Sequence, residues 1–401
     1  MRWVNWSRKS NEPFAAATGS MGLDLNATRI RVMTGEPGRT VRTLVLDDPA
    51  EELQLAVNLA NRAPEVGLVG RAIERRTPHL GCFDFLDAIG EARRWDIGRH
   101  KLNAQDLMTL ALNKMRAVCP TPLNLALTVP TYLNATKVTA LAKLMERIKL
   151  PVRGSIVLPL ALMAAADPAE RRPRLTLLID VDDRALTGSL LHVEANHARL
   201  LSMMAEQRLN LRAWKERLLN GLADRCVRIC RRDPRDSADA EQALYEQIDN
   251  AMERARQGHR MDLTIRTTQW YQNLIQTSED FEAYCAAQIK AAVASLGELV
   301  QSAPEPPQAV WLTSPAARLP GLAVALHAHL PDRTALAAMP PDAGARAALL
   351  MASRWIRDEL PRTHLDSVIQ LPESPARENG QAPLRENNSA KPSIRVTRHD
   401  N

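Results

Sequence analysis

Two aspartates stand at equivalent places in two stretches of common plan. In Met21 to Met33 (MGLDLNATRIRVM) and Leu175 to Val193 (LTLLIDVDDRALTGSLLHV) an apolar strand runs into Asp24 or Asp180, a polar turn follows, and a second strand returns. A carboxylate opening a tight turn, beside several backbone amides, is an arrangement that holds magnesium and the phosphates of a nucleotide. The turns themselves oppose that chemistry. A phosphate cradle relies on glycine, which lets the backbone approach an anion and adopt positive φ without steric cost. Here the first turn reads Asn26, Ala27, Thr28 and the second Asp182, Asp183, Arg184. Asp182 and Asp183 put negative charge where a triphosphate would sit, and like charges at close range repel strongly at low effective dielectric.

The elements that must position these turns are ordinary ones in β-α-β-α order. Leu102 to Cys119 (LNAQDLMTLALNKMRAVC) sets Leu107, Leu110, Ala111, Met115 and Val118 on one helical face, with Asn103 as N-cap. Asn124 to Leu133 reads as a buried strand stopped by Pro130. Asn134 to Leu150 reads as a second helix, capped by Asn134, with Val138, Leu141, Leu144, Met145 and Ile148 inward. Gly154 to Asp167 follows as strand and helix, and Val41 to Asp48 and the Gly67–Gly70 region read as short strands and turns. This order predicts a mixed sheet covered by helices. After the second hairpin, residues 206–299 read as a helical insertion, broken by a turn around Pro234 and by a strand pair in Met261 to Thr277. Ala309 to Pro331 is strand, loop and helix, and Pro340 to Leu360 is a closing helix. From about Pro372 the chain is too polar to offset its ordering entropy, which predicts a disordered tail.

At 401 residues and 45% hydrophobic content the chain accommodates two domains or one bilobed domain with insertions. The net charge of +6 and pI near 9.2 come mostly from arginine, yet aromatics are only 4%, so stacking platforms for unpaired bases are scarce. A basic cytosolic surface is the better reading, and Arg225, Arg228, Arg231, Arg232 and Arg235, beside acidic neighbours, read as a solvated helix face. Cys82, Cys119, Cys226, Cys230 and Cys285, an odd number without a CxxC pair, fit a reducing compartment. Cys226 and Cys230 lie four apart on a predicted helix, but with no adjacent histidine or second pair they read as core packing. None of the nine histidines has metal-ligand spacing with another ligand. The first twenty residues lack an apolar signal core and no stretch approaches a membrane span, so the expectation is a cytoplasmic protein with no membrane contact.

In order, these pieces resemble the nucleotide-binding domain of DnaK-type seventy-kilodalton heat-shock chaperones, in the actin and sugar-kinase ATPase superfamily, over roughly Met21 to Leu360. GLDLNAT is similar to the family's first phosphate loop GIDLGTT, LALTVPTYLNATKVTALAKLMERIKL to its VTVPAYFND helix unit, CFDFLDAIG to its FDAKRLIG segment, and WLTSPAARLPGL to its adenosine loop LVGGSTRIP. The resemblance implies a bilobed actin-like α/β fold of two RNase-H-like halves. Its parts would be a flexible extension at 1–20, one lobe at 21–174, a second at 175–365 including the insertion at 206–299, and a disordered tail at 366–401. It places magnesium at Asp24 and Asp180, and ATP or ADP at Asp24, Thr28, Asp180, Glu253, Arg256 and Arg318, where ERARQG resembles the family's ERAKRT.

The departures fall on the chemistry. The family's catalytic lysine maps to Leu86, and the glutamate of its NEPTAAA segment to Leu158. Its second phosphate loop becomes Asp182, Asp183, Arg184 and Ala185, with Thr187 for the acidic residue beyond. Its adenosine-loop glycines become Ser314 and Pro315, and a further glycine pair becomes Asn210 and Leu211. Asp24 and Asp180 read equally as caps of their hairpin turns, and Glu253 with Arg256 as an ordinary i, i+3 pair. The expectation is therefore a pseudo-ATPase acting through other proteins, with no autonomous peptide-binding domain and with nucleotide bound weakly or not at all. The alternative is a divergent, slow ATP-binding homologue, whose turnover would be ATP hydrolysis. A nucleic-acid role for the Arg225 to Arg235 face ranks last. Arg184 is expected to pair with Asp24 or Asp180 and hold the lobes shut.

Overall fold

The computed structural model describes residues 19–35, 41–119, 124–167, 172–268, 270–331 and 333–372. It is a mixed α/β protein with two principal sheets, and each grows from one of the two hairpins. Ser20–Leu25 pairs antiparallel with Arg29–Gly35 on one side and parallel with Asn124–Val129 on the other, and Asn124–Val129 continues parallel to Val152–Val157. Leu175–Val181 does the same, antiparallel to Leu186–Glu194 and parallel to Ala309–Leu312, which continues parallel to Ala335–Ala338. The two sheets thus repeat one strand order and polarity. Both central strands bury every residue, which is why they read as nearly continuous apolar runs.

The helices form where their caps and periodicity place them. Asn103 and Asp106 make a reciprocal capping box at Ala104–Val118, and Asn134 caps Ala135–Arg147 by accepting from the Lys137 amide. Leu158–Ala165, apolar all round, and the closing helix Ala343–Ile356 pack on the first sheet and on each other. Their core runs continuously from Leu23, Leu127 and Leu162 to Leu178 and Trp311 of the second sheet. The closing helix comes so near the first strand that a Cβ on Gly22 would lie 2.2 Å from the Leu349 amide nitrogen. A second core joins Leu177 and Ile179 to the helical block through Trp214, Leu218, Leu244 and Leu296. Among the described residues no helix is long and apolar enough to cross a membrane.

Several expectations are corrected. Val41 to Asp48 is no continuous strand: only Arg42–Thr43 pairs in a ladder, after which the Leu46 and Asp47 amides both turn back to the Ala50 carbonyl. The Gly67–Gly70 region holds the strand Glu65–Val66 and a short helix, Leu68–Arg71. Val118, expected inward, is half exposed at the helix end. Ser20 is fully buried in the first strand, so the extension at 1–20 is overdrawn at its end. The tail boundary at 366 is overdrawn as well, because Val368–Gln370 pairs with His197–Glu206 and buries Ile369. The remainder of both predicted flexible segments, 1–18 and 373–401, lies outside the described residues. The strand pair inside the helical block is present as Met261–Arg266 and Tyr271–Gln276.

Candidate functional site

The two turns meet each other. The Ala27 amide donates to Asp182 Oδ2 at 2.9 Å, and the Asp183 amide donates to Thr28 Oγ1 at 2.9 Å, two bonds that join turns 155 residues apart. Tyr132 adds its hydroxyl to the same Asp182 oxygen. The other oxygen of Asp182 accepts from the amides of Arg184 and Ala185, at 2.9 and 3.0 Å, so this carboxylate shapes its own turn while gripping the opposite one. Burial raises Asp182 above the usual carboxylate range, against the pull of these donors. Burial, then Asp182, pushes the Tyr132 hydroxyl well above its ordinary value and keeps it a donor.

Neither Asp24 nor Asp180 caps its turn. Asn26 does so in the first hairpin, accepting from the Thr28 and Arg29 amides at 3.0 Å, and Asp182 does so in the second. The side chain two places further on reaches over the bend. Asp24 instead accepts from Thr128 Oγ1 at 2.9 Å and Arg29 Nη1 at 3.0 Å, with Arg29 also held by Glu52. Its carboxylate lies at the first turn of the closing helix, 2.6 Å from where a Cβ on Gly344 would stand, a favourable place for negative charge. Asp180 accepts from Thr313 Oγ1 at 2.5 Å. Burial, with Asp182 and Asp24 nearby and Thr313 and Arg29 opposing, pushes the Asp180 carboxyl up to about 7.

Arg184 does not pair with Asp24 or Asp180 as expected. It crosses to Asp87 at 2.8 Å, on the segment that follows the short helix Leu68–Arg71. Asp183 is the anchor of a larger ion cluster: Arg71 binds it at 2.7 Å and Arg212 at 3.4 Å, while Arg212 also reaches Asp84 at 2.9 Å and Glu74 at 3.5 Å. Burial alone would raise Asp183, but Arg71, Arg212 and Lys215 hold it down to about 2. Beyond this cluster Arg75 engages Glu216 and Gln242, and Arg76 meets Asp239 at 2.8 Å. The seam between residues 71–87 and 183–242 is thus ion-paired along its length. What space is left beside Ala27 is a cavity of about 220 Å³, walled by Asp84, Asp87, Glu91, Arg93 and Arg184.

Of the remaining candidates, Glu253, Arg256 and Arg318 make no hydrogen bond or ion pair with the two turns among the described residues. Leu86 and Leu158 belong to the apolar core. Glu253 and Arg256 pair with each other at 2.5 Å; against burial, Arg256 and then Arg318 lower Glu253, and Lys215 and then Arg318 lower Asp249. Arg318 Nε is buried without a hydrogen-bond partner. Leu211 spends its amide on the Asp182 carbonyl at 2.8 Å, and Asn210 caps the helix Leu211–Cys230. Among the described residues no group of three or more His, Cys, Asp or Glu side chains is placed to hold a metal ion. Tyr132, Arg71, Arg212 and Asp87 carry no signal in the sequence, since their partners lie on other elements far along the chain.

The buried carboxyl of Asp180 makes a pH dependence. Its pKa is raised on folding, so its contribution to stability is complete below about pH 4 and is lost as pH rises through about 7. Between pH 5.5 and 8 the protein is expected to lose on the order of 2 kcal/mol from this group. Asp180→Asn should flatten that slope in denaturant titrations at several pH values; an unchanged slope would assign it elsewhere.

Paired sheets of one topology, joined at interlocked turns, place the chain among mixed α/β proteins. It matches no family model and no curated protein.

Proposed function

We propose that this protein is a nucleotide-independent relative of the chaperone ATPase domains: a bilobed, actin-like clamshell, with lobes at 21–174 and 175–365, that its own side chains hold shut and that works through contacts with other cytoplasmic proteins. The observation that carries the reading is the direct bonding of the two turns, Ala27 to Asp182 and Asp183 to Thr28. The groups that would grip phosphate are spent on protein carboxylates and on each other. Magnesium triphosphate does not fit these residues. Arg29 occupies Asp24, burial disfavours the charged form of Asp180 that magnesium would need, and Asp182 and Asp183 add charge of the wrong sign. Leu86 and Leu158, where the resemblance places a lysine and a glutamate, and Pro315, which lacks an amide donor in place of a glycine, further support a scaffold over an enzyme. Free cysteines at Cys82, Cys119, Cys226, Cys230 and Cys285 accord with a reducing compartment.

The test is thermal denaturation of the pure full chain with millimolar Mg-ATP, alongside phosphate release. A ligand at a hundredfold excess over its dissociation constant stabilises by about 2.7 kcal/mol, a shift of several degrees. No shift and no phosphate release are expected. A clear shift, removed by Asp24→Asn, would establish the ATP-binding alternative instead.

A further inference from the structure

We infer that the outer face of the helix Leu211–Cys230, with the adjoining strand Tyr271–Gln276, is a docking surface for an acidic polypeptide segment that also carries apolar side chains. The inference rests on the reading above that this protein works through protein contacts, and it names the chemistry of the contact.

The sequence suggests that acidic neighbours neutralise the arginines here, and the structure shows otherwise. Asp224 and Asp233, the carboxylates adjacent in sequence to Arg225 and Arg232, are both held by Arg235, at 2.9 and 2.8 Å. Arg217, Arg225, Arg228 and Arg232 are exposed and have no ion pair among the described residues. Arg217, Arg225 and Arg228 fall within roughly an 80° arc of the helix and span about 16 Å along it. Arg232, just past the helix end, lies over the Trp270 ring at 5.7 Å. Like charges in a row without a direct ion pair cost stability, even with Asp224 and Asp280 nearby, and are relieved by an anionic partner.

Apolar exposure borders the same stripe. Ile229 is 49% exposed between the arginines, and on the packed neighbouring strand Tyr271 is 63% and Ile275 43% exposed. A phosphate backbone offers nothing to Ile229 and Ile275. A single-stranded nucleic acid would also want open aromatic faces, whereas Arg232 covers Trp270 and leaves Tyr271 alone to stack. Carboxylates and apolar side chains together match the surface, so the occupant is a protein segment.

The test is fluorescence anisotropy of the full chain with a labelled synthetic helix of alternating glutamate and leucine turns, without nucleotide. Expected results are saturable binding, a loss of about tenfold or more in affinity between low and threefold physiological salt, and a comparable loss in the Arg225→Glu/Arg228→Glu double variant with unchanged circular dichroism. Replacing the leucines by glutamine should weaken binding, and oligo-dT of equal charge should bind less tightly. No peptide binding, binding indifferent to the double reversal or to the leucines, or tighter binding of oligo-dT would each overturn the inference. Because the reversed residues Arg225 and Arg228 lie about 20 Å along the helix from Leu211 and bond to neither turn, and the assay contains no ATP, its failure leaves the closed-cleft reading standing. Stabilisation by Mg-ATP with peptide binding intact would sink that reading alone.

Discussion

Replacing Gly22 by alanine is expected to destabilise the protein by at least ~3 kcal/mol. The new methyl carbon would stand 2.2 Å from the Leu349 nitrogen and 2.3 Å from the Ala345 carbonyl oxygen, both backbone atoms of the closing helix. No rotamer change relieves a clash with backbone, so the helix must lift from the central strand and open the core around Met33, Ala345 and Leu349. Gly297→Ala is the matched control. That position has open space around a Cβ and lies inside the helix Ala286–Gln301, where alanine gains about 0.5–1 kcal/mol. Urea denaturation followed by circular dichroism measures both. A loss under about 1 kcal/mol for Gly22→Ala would mean that the closing helix is not seated on this strand.

Asp183→Ala is expected to cost about 3–5 kcal/mol and to loosen the seam, because it strips the common partner from two partly buried guanidiniums. Arg71 and Arg212 would then share Glu74, with Asp84 left to Arg212 alone. Asp183→Asn should cost nearly as much, since the amide keeps the shape but loses the charge. The same carboxylate sets an acid limit. Its pKa is lowered on folding to about 2, so its contribution is complete above about pH 4 and disappears as pH falls toward 2. Denaturant titration gives the energy, and the radius of gyration by small-angle scattering gives the opening. Wild-type dimensions and stability in both variants would show that the ion cluster does not hold the seam together.

The parts of this fold legible in the sequence were those specified locally. The two hairpins, the helices capped by Asn103 and Asn134, and the strand pair within the helical block each announce themselves through periodicity and a cap within a few residues. Val41 to Asp48 alternates like a strand, but Leu44 and Leu46 are drawn into the core from an irregular path that periodicity does not encode. The site was half legible. The sequence singles out Asp24, Thr28, Asp180, Asp182 and Asp183 at the two turns, with Asp182 and Asp183 unfavourable to phosphate, but it groups Glu253, Arg256 and Arg318 with them, and these bond to neither turn among the described residues. Their partners were hidden: Ala27 and Tyr132 for Asp182, Arg71 and Arg212 for Asp183, Asp87 for Arg184. These pairings are fixed by how two distant hairpins come together, and each residue alone looks like a surface charge or a turn former. The arginine face shows the converse. Acidic neighbours were legible, but not that Arg235 would take both of them.

Amide hydrogen exchange at Ala27 and Asp183, measured with and without Mg-ATP, bears on the interlocked turns most directly. Both amides should be protected in the nucleotide-free protein, because one donates to Asp182 and the other to Thr28, and Mg-ATP should leave them unchanged. Rapid exchange without nucleotide, slowed when Mg-ATP is added, would show turns that wait for phosphate and would contradict the account.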